Sequence, residues 1–266
     1  SPRFLAQHPA RRPELVSLLN RLFREPRFDG TETFTIAEIE KPPGNWFVIL
    51  LKPPFLGTTL LLWCAFLFNT LALYAFVNLL PTVLTSTGIS LDPALEGSKL
   101  FNFGGFFGAV GGAVLIGIIG SRLVGAALST VGAIATALIG MVLVAHSGAI
   151  AGTQLLFLIW IAGMALNGMQ CFLYTVGAHS YPTYIRASGV GCAQTVSRIG
   201  GVLSSVVGGA YFTIQPPPPV SVFFYVVAAA ILIVVVSYFS MRTHIQGKRS
   251  AVPAVPAQAL QKGPAP

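Results

Sequence analysis

Charge is what this sequence has least of. Of its 266 residues, 16 are Lys or Arg and 8 are Asp or Glu, 9% of the chain, where a soluble globular domain carries roughly 25%. The shortage is concentrated, because between Pro53 and Met241 only Asp92, Glu96, Lys99, Arg122, Arg186 and Arg198 are charged. So few polar groups do not cover a soluble fold, and that class is excluded. Cysteine is scarce too. Cys64, Cys171 and Cys192 lie in apolar runs without C-x-x-C or other ligand spacing, which excludes a disulfide framework and a zinc site and leaves them as small buried hydrophobes. Catalytic signatures are missing: there is no H-E-x-x-H or G-x-S-x-G, and His146 and His179 stand at the ends of apolar runs with no partner at a catalytic spacing. Neither an enzyme nor a metal or cofactor site is expected. Residues 1–15 also lack the apolar core of a secretory signal.

What the sequence has in abundance is apolar length. Hydrophobic residues make up 54% of it, and an apolar helix of roughly 20 residues crosses a bilayer, so the stretch 53–241 holds six crossings. They are predicted at Leu56 to Leu80, Leu100 to Ile119, Leu123 to Ala145, Leu155 to Gly177, Ser188 to Phe212 and Val220 to Ser240. Breaks come from Pro81 with the Asp92/Glu96/Lys99 cluster, Ser121-Arg122, residues 146–153, residues 179–186 and residues 215–219. Three regions follow: residues 1–52, polar, with a helical stretch whose Leu15, Leu18, Leu19, Leu22 and Phe23 share one face; the six-helix bundle 53–241; and a tail, 242–266, whose Pro- and Ala-rich end is expected to be disordered.

The net charge of +8 does not indicate nucleic acid, since the basic residues form no stripe and alternate with no exposed aromatics. They read instead as topology markers. With both ends in the cytoplasm, the inner segments hold every Lys and Arg except Lys99 and the intramembrane Arg198. That sets the expected orientation, in a plasma (inner) membrane.

Functional residues stand out because the spans are otherwise so apolar. Gly104, Gly108 and Gly112 form overlapping G-x-x-x-G repeats, and Gly200, Gly201, Gly208 and Gly209 line the fifth span; such spacing lets helix backbones approach closely in lipid. Arg198 lies about 15 Å of helix from the cytoplasmic start of its span. A cation at that depth costs about 2.5–3.5 kcal/mol on insertion scales, and no span contains an Asp or Glu. A substrate anion, a carboxylate elsewhere or helix carbonyls must therefore offset it. Gln194 one turn before and Ser205 two turns after extend its face. The fourth span contributes Asn167, Gln170 and Tyr174, the first Asn69, Tyr74 and Asn78, and the second Asn102 with Phe103, Phe106 and Phe107. Spans three and six hold almost nothing polar. Four helices that line a cavity and two that shield them is the pattern.

These residues also carry a resemblance. Ser1-Pro2-Arg3-Phe4-Leu5 resembles the P-E-S-P-R-F/W-L signature that ends the sixth helix of many major facilitator superfamily transporters. Tyr181-Pro182-Thr183-Tyr184-Ile185-Arg186-Ala187-Ser188-Gly189-Val190-Gly191, followed by Ser197-Arg198-Ile199-Gly200, is similar to a run of the aromatic acid/proton symporter branch, as is the first span from Leu60-Leu61-Leu62-Trp63 through Asn69 to Leu80-Pro81-Thr82. The superfamily's G-x-x-x-D-R-x-G-R-R loop is reduced here to Gly120-Ser121-Arg122-Leu123-Val124-Gly125, keeping only Arg122. The resemblance implies an all-α polytopic membrane protein, the C-terminal six-helix half of a twelve-helix fold, with an N-terminal half missing from a sequence that begins inside a motif. It implies proton-coupled uptake of aromatic or other organic acids by alternating access. Arg198 would pair with the substrate carboxylate, aromatics near Asn102 would face its ring, and Arg122 and Arg186 would serve the inner gate. Expected partners are a small organic acid, protons, membrane lipid and the missing half. The alternatives are a sugar- or polyol-type porter, in which Asn and Gln would dominate, and an inactive membrane fragment.

Overall fold

A computed structural model of the chain describes Leu5 and residues 11–23, 44–145, 152–216 and 218–241. Residues 1–4 of the opening motif, His146 and the tail expected to be disordered lie outside the described residues. The chain divides into residues 1–43 and residues 44–266. In the first unit, α1 (Arg12–Phe23) is the helix expected there, with Glu14 in its first turn and Arg21 in its last, the placement the helix dipole favours. Arg11 Nε lies 3.3 Å from Glu14 Oε1.

The second unit opens with α2 (Trp46–Leu50), a single turn whose preceding Asn45 accepts from the backbone N–H of Phe47 at 3.1 Å. Six long helices follow: α3 (Leu56–Ser86), α4 (Leu91–Ile119), α5 (Ser121–Ala145), α6 (Gly152–Ser180), α7 (Arg186–Thr213) and α8 (Val220–Ser240). The described residues contain no strand. Five of these helices, all but α7, are long and apolar enough to cross a membrane. The chain is therefore an all-α, multi-pass integral membrane protein. Helix α7, at 28 residues, has spanning length but a more polar composition, because Gln194, Arg198 and a run of Gly and Ser occupy it.

Two expected boundaries move. Helix α3 continues through Pro81 to Ser86; proline withdraws one N–H, from the Val77 carbonyl four residues earlier, and Val77 lies on an exposed face. Helix α4 begins at Leu91 rather than Leu100. Asp92 sits in its first turn, where a negative charge is favourable, so the charged cluster starts a helix instead of forming a loop. The joints between α3 and α4 and between α4 and α5 turn on Gly88 and Gly120, both at φ +88°, a conformation that glycine alone adopts readily.

The helices pair out of sequence order: α4 with α6, α3 with α7 and α5 with α8, while the neighbours α4 and α5 barely touch. Glycine sets these pairings. A methyl group at Gly104 would strike the Trp160 carbonyl, at Gly108 the Met164 carbonyl, and at Gly163 the Phe101 carbonyl. Across the other seam one at Gly200 would strike the Leu67 carbonyl, and one at Gly208 the Leu79 side chain. Gly112 and Gly201 have ordinary room, 3.7 Å from their neighbours, and Gly209 faces open space, so only part of each glycine series serves the seam. Between them, Phe76 stacks on Phe101 with ring centroids 4.9 Å apart, and Phe172 meets Tyr238 edge-on at 5.1 Å.

Helices α5 and α8 turn Ile134, Met141, Leu232 and Val236 outward, and α4 and α7 likewise expose Phe103, Val110, Val202 and Val206. Cys64 and Cys192 are half-buried, but Cys171 is exposed; it stands on a face of α6 that no neighbouring helix covers, so it is not the buried hydrophobe expected. At the end of the bundle holding the α6–α7 turn, Tyr181 is buried and donates to Thr59 Oγ1 at 3.1 Å, and Thr59 donates in turn to the Leu50 carbonyl at 3.1 Å. Burial pushes the Tyr181 hydroxyl pKa up from its usual value, against the smaller opposing effect of the Thr59 bond.

Candidate functional site

The polar residues of α3, α6 and α7 meet inside this frame. Asn69 is fully buried on α3, and its Nδ2 lies 3.4 Å from the Leu166 carbonyl and 2.7 Å from Gln170 Oε1. A carbonyl can only accept, which fixes the Asn69 amide with nitrogen toward α6 and makes Gln170 Oε1 the acceptor. Thr70 Oγ1 donates to the same oxygen at 3.4 Å. Gln170 Nε2 then donates to the Tyr174 hydroxyl at 3.4 Å, and Gln194 Nε2 reaches that hydroxyl from α7 at 2.9 Å. One hydrogen-bonded row thus crosses from α3 through α6 to α7. Asn69 Oδ1 is left buried without a donor among the described residues, a cost of about 1–3 kcal/mol.

Arg198 stands beside the end of this row, one turn after Gln194 on α7. It lies about 18 Å of helix from Arg186, the first residue of α7. Its side chain is exposed, and its one hydrogen bond is from Nη1 to the Tyr74 hydroxyl of α3, at 3.5 Å. The only ion pair among the described residues is Arg11 with Glu14, so no described carboxylate neutralises Arg198. A guanidinium has five N–H donors, and two of them can pair side by side with a carboxylate. Gly200, two residues after Arg198, lets α7 come up against the α3 backbone at Leu67, close enough for Arg198 and Tyr74 to meet.

Of the residues singled out from sequence, Asn69, Gln170, Tyr174 and Gln194 form the row, and Tyr74 joins Arg198. The others are not hydrogen-bonded into this group. Asn167 donates to the Gly163 carbonyl of its own helix at 3.0 Å and lies over Gly105, where a Cβ would sit 2.6 Å from its Nδ2. Asn102 donates to the Ser98 carbonyl at 2.9 Å; both Asn102 and Asn78 are exposed. Phe106, 63% exposed, packs edge-on against Phe107 at 5.6 Å, and Phe107 faces Trp160 at 6.3 Å. Arg122 is exposed at the start of α5, while Arg186 donates from Nε to the Tyr181 carbonyl at 3.3 Å, which ties down the α6–α7 turn. Sequence reasoning missed Thr70 and Trp160. Trp160 precedes Asn167 by seven residues, so extending the α6 stripe two turns upstream would have found it.

Comparison with known proteins places this geometry. Residues 13–205 match the Major Facilitator Superfamily. The gallate transporter of Pseudomonas putida is 31% identical over 219 residues, 80% of this chain and 46% of that protein. The 4-hydroxybenzoate transporter PcaK of Pseudomonas aeruginosa is 30% identical over 62% of this chain and 35% of its own length, and PcaK of Acinetobacter baylyi 26% identical over 78% and 45%. The chain spans between about a third and a half of the length of these curated relatives. With a family match running through α3, α4, α5 and α6 and into α7, and relatives that are transporters by name, the chain belongs to the Major Facilitator Superfamily.

Proposed function

We propose that these six helices are the carboxy-terminal half of a secondary transporter that takes up aromatic carboxylic acids together with protons, alternating access between the two sides of a plasma membrane. The observation that carries this reading is Arg198, a cation about 18 Å along α7 from its first residue, on an exposed face with no described carboxylate to neutralise it. A carboxylate substrate supplies the missing charge, and the polar row from Gln194 to Asn69 lines the path beside it. Phe106, Asn102 and Asn167 form the neighbouring wall, which receives the ring. The names of the relatives, gallate and 4-hydroxybenzoate transporters, agree in substrate chemistry. A second six-helix half closes the other side of the cavity, and both ends of this chain, with residues 1–52 and 242–266, lie in the cytoplasm. Arg122 and Arg186 face the inner mouth in this orientation.

Uptake by the full-length transporter tests the reading. Labelled benzoate-type acids should accumulate and sugars should not compete. Arg198→Ala should weaken apparent affinity about tenfold to hundredfold, the loss of a charge-assisted contact worth about 1.5–3 kcal/mol. Arg198→Lys keeps the charge but not the two-pronged grip, and should fall between. Unchanged affinity in a normally folded Arg198→Ala protein would remove the anchor, and sugar uptake in place of acid uptake would turn the assignment to a polyol-type porter.

A further inference from the structure

Tyr74 stands in a position where hydrogen-bond accounting leads beyond its contact with Arg198. The guanidinium has five donors and no acceptor, so in the 3.5 Å contact the Tyr74 oxygen must be the acceptor. The phenolic proton of Tyr74 therefore points elsewhere, and no acceptor for it lies within reach among the described residues. The ring lies over the Gly201 position of α7. Its Cγ and Cδ2 lie 3.7 Å from where a side chain of Gly201 would begin, and the neighbouring Thr70 methyl lies 3.9 Å from the same point. The ring is half-buried in the seam while Arg198 is exposed, so the phenol borders the open face onto which the guanidinium looks.

Resting on the anion-binding reading of Arg198, we infer that Tyr74 is a direct substrate ligand, whose hydroxyl donates its proton to the same carboxylate that Arg198 binds. The two donors come from different helices, α3 and α7, and converge on one anion. Tyr74 thus does two things with one oxygen: it accepts from Arg198, orienting the guanidinium, and it donates to the substrate. Both contacts strengthen each other, because accepting from a cation makes a phenol a better donor.

The test uses purified full-length transporter in nanodiscs with benzoate as the probe, binding read by calorimetry at pH 6. Tyr74→Phe keeps the ring and its seam contacts, so the thermal midpoint should stay unchanged while benzoate affinity falls about tenfold. On an Arg198→Ala background the same change should cost less than threefold, because the two groups serve one anion. Replacing Tyr74 by 3-fluorotyrosine separates donor from prop: fluorine makes the phenol a stronger donor and a weaker acceptor. Affinity equal to or tighter than wild type supports donation to the carboxylate. Weaker affinity than wild type makes Tyr74 a prop for Arg198 and overturns the inference. Should wild-type protein fail to bind benzoate, the acid-transport reading falls first; wild-type binding that needs Arg198 but is indifferent to Tyr74→Phe refutes Tyr74 alone.

Discussion

Consider alanine at Gly108, in the middle of the α4–α6 seam. The added methyl would run into the carbonyl and Cα of Met164, which belong to the α6 backbone and so cannot turn aside as a side chain would. The two helices must separate, and Gly168 on α6, whose own Cβ position is 2.9 Å from the Gly108 carbonyl, shows how little slack the partner has. Overpacking of this kind costs about 1–3 kcal/mol, and a rigid backbone obstacle places it near the upper end. Against that, replacing glycine by alanine inside a helix gains about 0.5–1 kcal/mol. The net loss is about 2 kcal/mol, or about 4–8 °C in thermal midpoint for a chain of this size. Gly111, one turn away on the same helix, has nothing within 4 Å, so Gly111→Ala gains the propensity term alone and should raise the midpoint slightly. Thermal unfolding of the two variants in detergent compares a helix with itself, which cancels detergent effects. If Gly108→Ala melts no lower than Gly111→Ala, the seam does not hold the helices by backbone contact.

Other expectations follow from the geometry. In a background with Cys64, Cys171 and Cys192 replaced by serine, Gly88→Cys and Gln215→Cys should react with an impermeant thiol reagent in sealed cells and Arg122→Cys should not; labelling of Arg122→Cys would reverse the orientation. A double-mutant cycle of Asn69→Ala with Gln170→Ala should give a coupling of about 0.6–1.7 kcal/mol, the range for hydrogen bonds between membrane helices, and strict additivity would break the row. Because burial raises the Tyr181 pKa above its unfolded value, the contribution of this group is fully present below about pH 10. It is lost as the pH climbs through the higher folded value, so Tyr181→Phe should show a shallower alkaline fall in stability than wild type. Equal alkaline slopes would contradict that.

The sequence made the number of long helices legible because the chain's few charges mark the connections, and made α6 and α7 legible as site helices because Asn, Gln and Arg are conspicuous against an apolar background. It misjudged Pro81 because in a helix bounded by lipid a single missing N–H is tolerated, and the α4 start because acidic residues can open a helix as well as interrupt one. Pairing was not legible. Both Asn69 and Asn78 are polar positions on α3, yet only Asn69 meets α6; nine residues on, about half a turn out of phase, Asn78 is exposed. Tyr74 was visible as a polar aromatic, but its contact with Arg198 depends on the close approach at Gly200, a property of two helices about 120 residues apart.

That out-of-order pairing has a consequence for how the protein is made. Chains enter the membrane from the N-terminus onward, so α4 and α5 arrive before α6, and α3 before α7. Until α6 is synthesised, Asn69 has neither Gln170 nor the Leu166 carbonyl, and the glycine grooves of α4 have nothing to receive. Until then α3 and α4 have their contact with each other, but neither has the partner of its glycine seam. Helix α6 touches α3, α4 and α5, so its arrival joins the three helices made before it, and α7, too polar to be a comfortable solitary span, enters last but one onto a partner already in place. A ribosome stalled before α6 would leave α3 with a bare asparagine in lipid, the kind of exposed polar group that membrane quality control is built to find.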